Sequence, residues 1–296
     1  MSFLKKIIAS CLALAVIFAF ALATTAQAES KEQVPVFVSI APQAFFVEKI
    51  GGDRVKVDVL VQPGQSPHTY APTPRQMGRL AEARVYFRIG VAFENAFIPK
   101  IGNSLPNLVI VDTRQGIDLE KMAGAGEDDH DHGEELDPHI WLDPLLVKKQ
   151  AAIIKDTLAQ LDPAGQALYE KNLAAFCSDL DALHARLSTA LAPLQGKSFF
   201  VFHPAFGYFA KAYGLKQIAV ETGGNAPSAR HLAALIESAR ENGVRVLFVQ
   251  PQFSRKSAET VARAINGVVV ALDPLARDYF SNMTGIAQAL EKALAD

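Results

Sequence analysis

The chain has 296 residues, half of them hydrophobic, and a formal charge of −2. Such a length fills one large or two medium domains with a buried core. No block of Lys and Arg is long enough to track a phosphate backbone, which excludes nucleic acid as the partner.

Read from the first residue, the chain begins with an export pattern. Lys5 and Lys6 precede an apolar run over residues 7–23, and Ala26-Gln27-Ala28 offers small residues for cleavage, so residues 1–28 read as a secretory signal peptide. The run is at the short limit for a bilayer span and polar Thr24 and Thr25 follow it, so a membrane anchor is not expected. Ile8-Ala9-Ser10-Cys11 has the letters of a lipoprotein box, yet most of the apolar segment follows Cys11, the wrong order for lipidation. The expected location is the periplasm. Cleavage leaves about 268 residues, a charge of about −4 and one cysteine, so no internal disulfide can form. Cys177, among Leu173, Phe176 and Leu180, reads as a small buried hydrophobe.

Short apolar, β-branched runs then recur over residues 36–40, 55–61, 85–89, 108–111, 199–202, 246–249 and 268–272, each followed by a helical pattern. Strand-then-helix alternation predicts parallel sheets in an α/β fold, with helices covering both faces. Between the two strand groups, Asp143-Pro144 and Asp162-Pro163 each combine a capping residue with a first-turn proline and predict two helix starts. In the second helix Leu173, Phe176, Leu180, Leu183, Leu187 and Leu191 step by three or four residues, one buried stripe on a spine roughly 40 Å long. The expected division is an N-terminal α/β lobe over residues 29–142, a helical connector over 143–194 and a C-terminal α/β lobe over 195–296. Within the first lobe, residues 124–136 are acidic and carry Asp128-Asp129-His130-Asp131-His132. They read as a mobile loop that either collects metal weakly or is simply solvated.

Three of the seven histidines stand at element ends. His68 lies in Ser66-Pro67-His68-Thr69-Tyr70, where prolines and Gly64 enforce a loop after a strand. His139 lies in Asp137-Pro138-His139-Ile140-Trp141-Leu142-Asp143-Pro144, just before the connector. His203 follows the run at residues 199–202 at once. Asp273 likewise ends the run at residues 268–272 and precedes Pro274. Ligands of open α/β sheets collect beyond the carboxyl ends of the strands, so these residues can converge. Any one of them alone is more simply a loop or capping residue; together, three imidazoles and a carboxylate form the four-coordinate set that zinc accepts. Glu221 stands as an alternative oxygen ligand or a loop cap, Asp137 as an acceptor for a ligand imidazole, and His184 and His231 as structural or surface residues.

Five segments in order, the three around the histidines together with Ala226-Pro227-Ser228-Ala229-Arg230 and Leu272-Asp273-Pro274-Leu275, resemble the metal-specific solute-binding proteins of bacterial ABC importers, the zinc and manganese group. The resemblance implies two lobes joined by a long rigid helix with the metal in the cleft between them. It carries the four ligand positions onto His68, His139, His203 and Asp273. It further implies a monomer without enzymatic activity, whose cargo is Zn2+ or, alternatively, Mn2+, and whose protein partner is a membrane permease. Histidine at the third position and a His-bearing loop before the second resemble the zinc-uptake members. Imidazole donors favour zinc over manganese on chemical grounds as well. Because ligand imidazoles must be neutral, affinity is expected to fall as pH drops from 7.5 to 5.5. A zinc-dependent hydrolase would need an open metal position and a general base, and no HExxH motif is present.

Overall fold

In the computed structural model, residues 33–122, 136–221 and 244–294 are described, together with five positions within 222–243. The expected signal peptide and nearly all of the 124–136 loop lie outside them, as does His231. Among the described residues the apolar runs form two four-stranded parallel sheets. The first contains β1 (Val34–Val38), β2 (Val55–Val59), β3 (Val85–Arg88) and β4 (Val109–Asp112) in the order β2-β1-β3-β4. The second repeats that order as β6-β5-β7-β8, with β5 (Ser198–Val201), β6 (Lys216–Ala219), β7 (Val246–Val249) and β8 (Val268–Ala271). In each sheet the chain leaves one central strand in one direction and returns beside it in the other. The neighbouring carboxyl ends, of β1 and β3 or of β5 and β7, therefore part around a crevice.

Parallel pairing requires a crossover between strands, and helices supply it. In the first lobe these are α1 (Ala41–Gly51), α2 (Pro74–Ala81) and α3 (Phe93–Ser104). Helices α4 (Pro144–Leu161) and α5 (Gln166–Leu191) form the connector, and α6 (Gly207–Ala212), α7 (Arg255–Ala264) and α8 (Tyr279–Leu294) follow. Asp143 caps α4 as its position predicts, accepting from the Leu145 amide at 2.8 Å. Asp162 does not cap. Arg54 engages both of its oxygens at 2.5 and 2.6 Å and the Tyr169 hydroxyl donates to one of them, so a 3-10 turn at Pro163–Gly165 opens the helix instead.

Helix α5 buries Tyr169, Phe176, Leu180, Leu183, Leu187 and Leu191, one turn more than the predicted stripe, with Leu173 partly buried at its margin. Cys177 sits at the edge of that stripe and is half-exposed rather than buried, because a step of one residue rotates it off the apolar face. At the middle of the helix, Phe176 meets Phe45 and Phe46 of α1 and Phe280 of α8 at ring separations of 5.9–6.2 Å. One apolar core thereby runs from the first sheet through the connector to the second, and residues 34–296 form one unit. A smaller core of Phe200, Phe202, Leu247, Val249, Val261 and Ile265 lies against α7. Among the described residues no helix is long and apolar enough to cross a membrane.

Candidate metal centre

Every strand of the second sheet leads into a polar residue. His203 follows β5, Glu221 follows β6, Gln250 follows β7 and Asp273 follows β8. The ladder continues past the strands, with Phe202 N donating to Phe248 O at 2.7 Å, Glu221 N to Phe202 O at 2.8 Å and Leu272 N to Val249 O at 3.0 Å. These bonds hold the four residues in register. Gln250 also clamps the backbone of His203 at both ends: its Oε1 accepts from His203 N at 3.2 Å and its Nε2 donates to His203 O at 2.7 Å. Phe253, in the turn after Gln250, stacks on the His203 ring at 4.9 Å.

The first lobe supplies the other two histidines. His68 rides on the loop between β2 and α2. That loop is fixed at its stem by Gln76 Nε2 donating to Leu60 O at 2.8 Å, and near its tip by Phe93 N donating to Pro67 O at 3.3 Å. His139 precedes a 3-10 turn at Ile140–Leu142, whose buried Trp141 donates from Nε1 to Pro274 O at 2.7 Å and ties the turn to the segment after β8.

The three imidazoles meet in a cavity of about 30 Å³, walled by Ser66, Val91, Trp141, Gln250 and Phe253 among others. His68 Nε2 and His203 Nε2 lie 3.2 Å apart, and the His139 and His203 rings are 5.3 Å apart. Two nitrogens on one tetrahedral zinc, each at 2.0–2.1 Å, stand about 3.3 Å from each other, so the His68–His203 pair already has the spacing of two ligands. Buried carboxylates fix the tautomers. Asp137 Oδ1 accepts from His139 Nδ1 at 2.6 Å and Glu221 Oε1 from His203 Nδ1 at 2.8 Å, which leaves Nε2 of each ring as the donor toward an ion.

Burial pushes the pKa of His68 down to about 4, helped by His203 and His139 and opposed by Glu221. Burial lowers that of His203 as well, against the hydrogen bond it donates to Glu221. Both rings are therefore neutral at pH 7, with lone pairs available to a cation.

Asp273 is not among the residues that line this cavity. Its Oδ1 accepts from Gln252 Nε2 at 3.0 Å and Leu275 N at 2.9 Å, and its side chain borders a neighbouring cavity of about 310 Å³ together with Gln62, Gly64 and Arg277. Among the described residues no group of three His, Cys, Asp or Glu side chains is arranged to hold an ion as it stands. His184 lies apart on α5, its Nδ1 3.3 Å from the Tyr213 hydroxyl. The sequence reading missed Gln250, Gln252 and Phe253. The strand-end position of Gln250 was the available signal, but a neutral amide in a turn carries no distinctive chemistry.

A family model described as "Zinc-uptake complex component A periplasmic" matches residues 36–293. The chain is 31% identical over 265 residues to the high-affinity zinc uptake system protein ZnuA of Bacillus subtilis (strain 168), covering 85% of this chain and 82% of that protein. It is 30% identical over 281 residues to the zinc-binding lipoprotein AdcA of Streptococcus pneumoniae serotype 4. That match covers 92% of this chain and 56% of AdcA, so the chain spans a little over half the length of that relative. The crystal structure of a ZnuA deletion mutant with zinc bound is similar with a TM-score of 0.83 at 43% identity, covering 90% of this chain and 99% of that one.

Proposed function

The chain belongs to the zinc-uptake complex component A periplasmic family, and from that premise we propose that it captures a divalent cation, zinc by preference, outside the inner membrane and delivers it to the permease of an ABC importer. The observation that carries this reading is the convergence of His68 and His139 with His203 from the other lobe, two of the three rings backed by buried carboxylates. Three nitrogen donors favour zinc over manganese. The ligand set is His68, His139 and His203, with Asp273 as the fourth once its carboxylate turns from its present partners. A cavity of about 30 Å³ suits a bare ion and not a metal chelate. Glu221 is engaged on His203 and Asp137 on His139, so neither is free to act as a general base toward metal-bound water, and carriage rather than hydrolysis is the role. Export rests on the signal-peptide pattern of residues 1–28, and the working form is a monomer of three parts: a lobe over 29–142, a connector over 143–194 and a lobe over 195–296.

Metal analysis of protein purified without added metal, followed by competitive zinc and manganese titration of the apo form, tests the reading. His139→Ala and His203→Ala should each lower zinc affinity by orders of magnitude, whereas deletion of residues 128–132 should leave tight binding intact. Tight zinc binding retained in both histidine variants, or a preference for manganese, would overturn it.

A further inference from the structure

We propose that Gln252 is a positioning residue that controls how readily Asp273 reaches the cation: its amide and the ion compete for one carboxylate. The inference rests on the zinc-binding reading above and adds a determinant of affinity and release to it.

Gln252 and Leu275 border both cavities, the small one that holds the imidazoles and the larger one beside it, and so form the partition between them. Asp273 lies on the far side of that partition. Its Oδ1 takes both the Gln252 Nε2 bond at 3.0 Å and the Leu275 N bond at 2.9 Å. The main chain there is pinned: Asp273 O accepts from Asn282 Nδ2 at 2.7 Å, and Pro274 O accepts from Trp141 Nε1 at 2.7 Å. With the backbone held, any turn of the side chain that carries Oδ1 toward the imidazoles gives up its bond to Gln252. Hydrogen bonds to charged groups are worth enough to change an equilibrium roughly 10-fold or more when one partner must be given up. The Leu275 amide belongs to the backbone and survives any substitution at position 252. The removable part of the restraint is therefore the Gln252 amide alone.

Gln252 also shares a turn with Gln250 and Phe253, which fix the backbone and ring of His203. One short segment thus orients a nitrogen ligand and restrains an oxygen ligand of the same centre.

The test is zinc competition titration and stopped-flow release into excess chelator for wild type, Gln252→Leu, Asp273→Asn and the double variant. Cobalt(II) absorption serves as a report on the coordination shell. Gln252→Leu should bind zinc about 10-fold tighter and release it more slowly. Its cobalt spectrum should also differ from that of wild type. In the Asp273→Asn background the same substitution should change neither affinity nor spectrum, which a purely structural role for Gln252 would not predict. Gln252→Met provides a second variant if the leucine protein fails to fold. Equal or weaker binding by Gln252→Leu, or the same gain with and without Asp273, would overturn the proposal. Failure of the wild type to bind zinc would instead overturn the function on which it rests.

Discussion

Titration of the metal-free protein should find the His68 imidazole neutral down to about pH 4. An imidazole with an ordinary value near 6.5 loses about 10-fold of its metal affinity to proton competition between pH 7.5 and 5.5, whereas one titrating near 4 loses almost nothing over that range. Burial therefore moves the His68 share of the pH effect below the window that the sequence suggests, and His203 shifts in the same direction. The same shift sets a sign for stability. The unfolded chain takes up the His68 proton first as pH falls, so the folded state weakens between about pH 6.5 and 4. The ring is partly exposed and its charge partly screened, which puts the effect at about 2–3 kcal/mol. Denaturant unfolding of the apo protein from pH 7 to 4, run beside His68→Gln, should show a pH slope in the wild type that is reduced in the variant. Proton resonances of the His68 ring should give the midpoint directly. A midpoint near 6.5, or an identical slope in both proteins, would refute the argument from burial.

Glu221→Gln removes the negative partner of His203 while keeping its shape and should weaken zinc binding by about 10–100-fold, with circular dichroism unchanged. Retained affinity in a competition titration would mean that Glu221 does not hold the ring. Phe176→Ala empties a site 1% exposed at the meeting of α1, α5 and α8 and should cost about 3–5 kcal/mol in chemical denaturation. A loss below 1 kcal/mol would contradict a core that is continuous at that point.

Seven of the eight strands were legible as short apolar runs, most plainly the central ones, whose residues are buried. β6 is harder to see, since Lys216-Gln217-Ile218-Ala219 lies at the sheet edge and only Ile218 marks it. The meeting of the three histidines in one cavity was legible through position: they lie in the loops and turns that follow strands or precede the connector, and the fold gathers such ends. The orientation of Asp273 was not. Whether a strand-end carboxylate faces one cavity or its neighbour depends on a side-chain hydrogen bond to Gln252 from another strand's turn, and no local pattern encodes that pairing. Asp162 failed as a cap for a similar reason, because Arg54, 108 residues away in sequence, claims its oxygens.

Because apolar contact passes unbroken from α1 through Phe176 to α8, swinging the two sheets apart like jaws would expose edge-to-face aromatic rings to water. A wide gape is strongly disfavoured in such a body. If the chain carries an ion as proposed, loading and unloading fall to the short turns at the strand ends. Under the same proposal, a partner that strips the ion must tug on those turns rather than wait for the molecule to yawn.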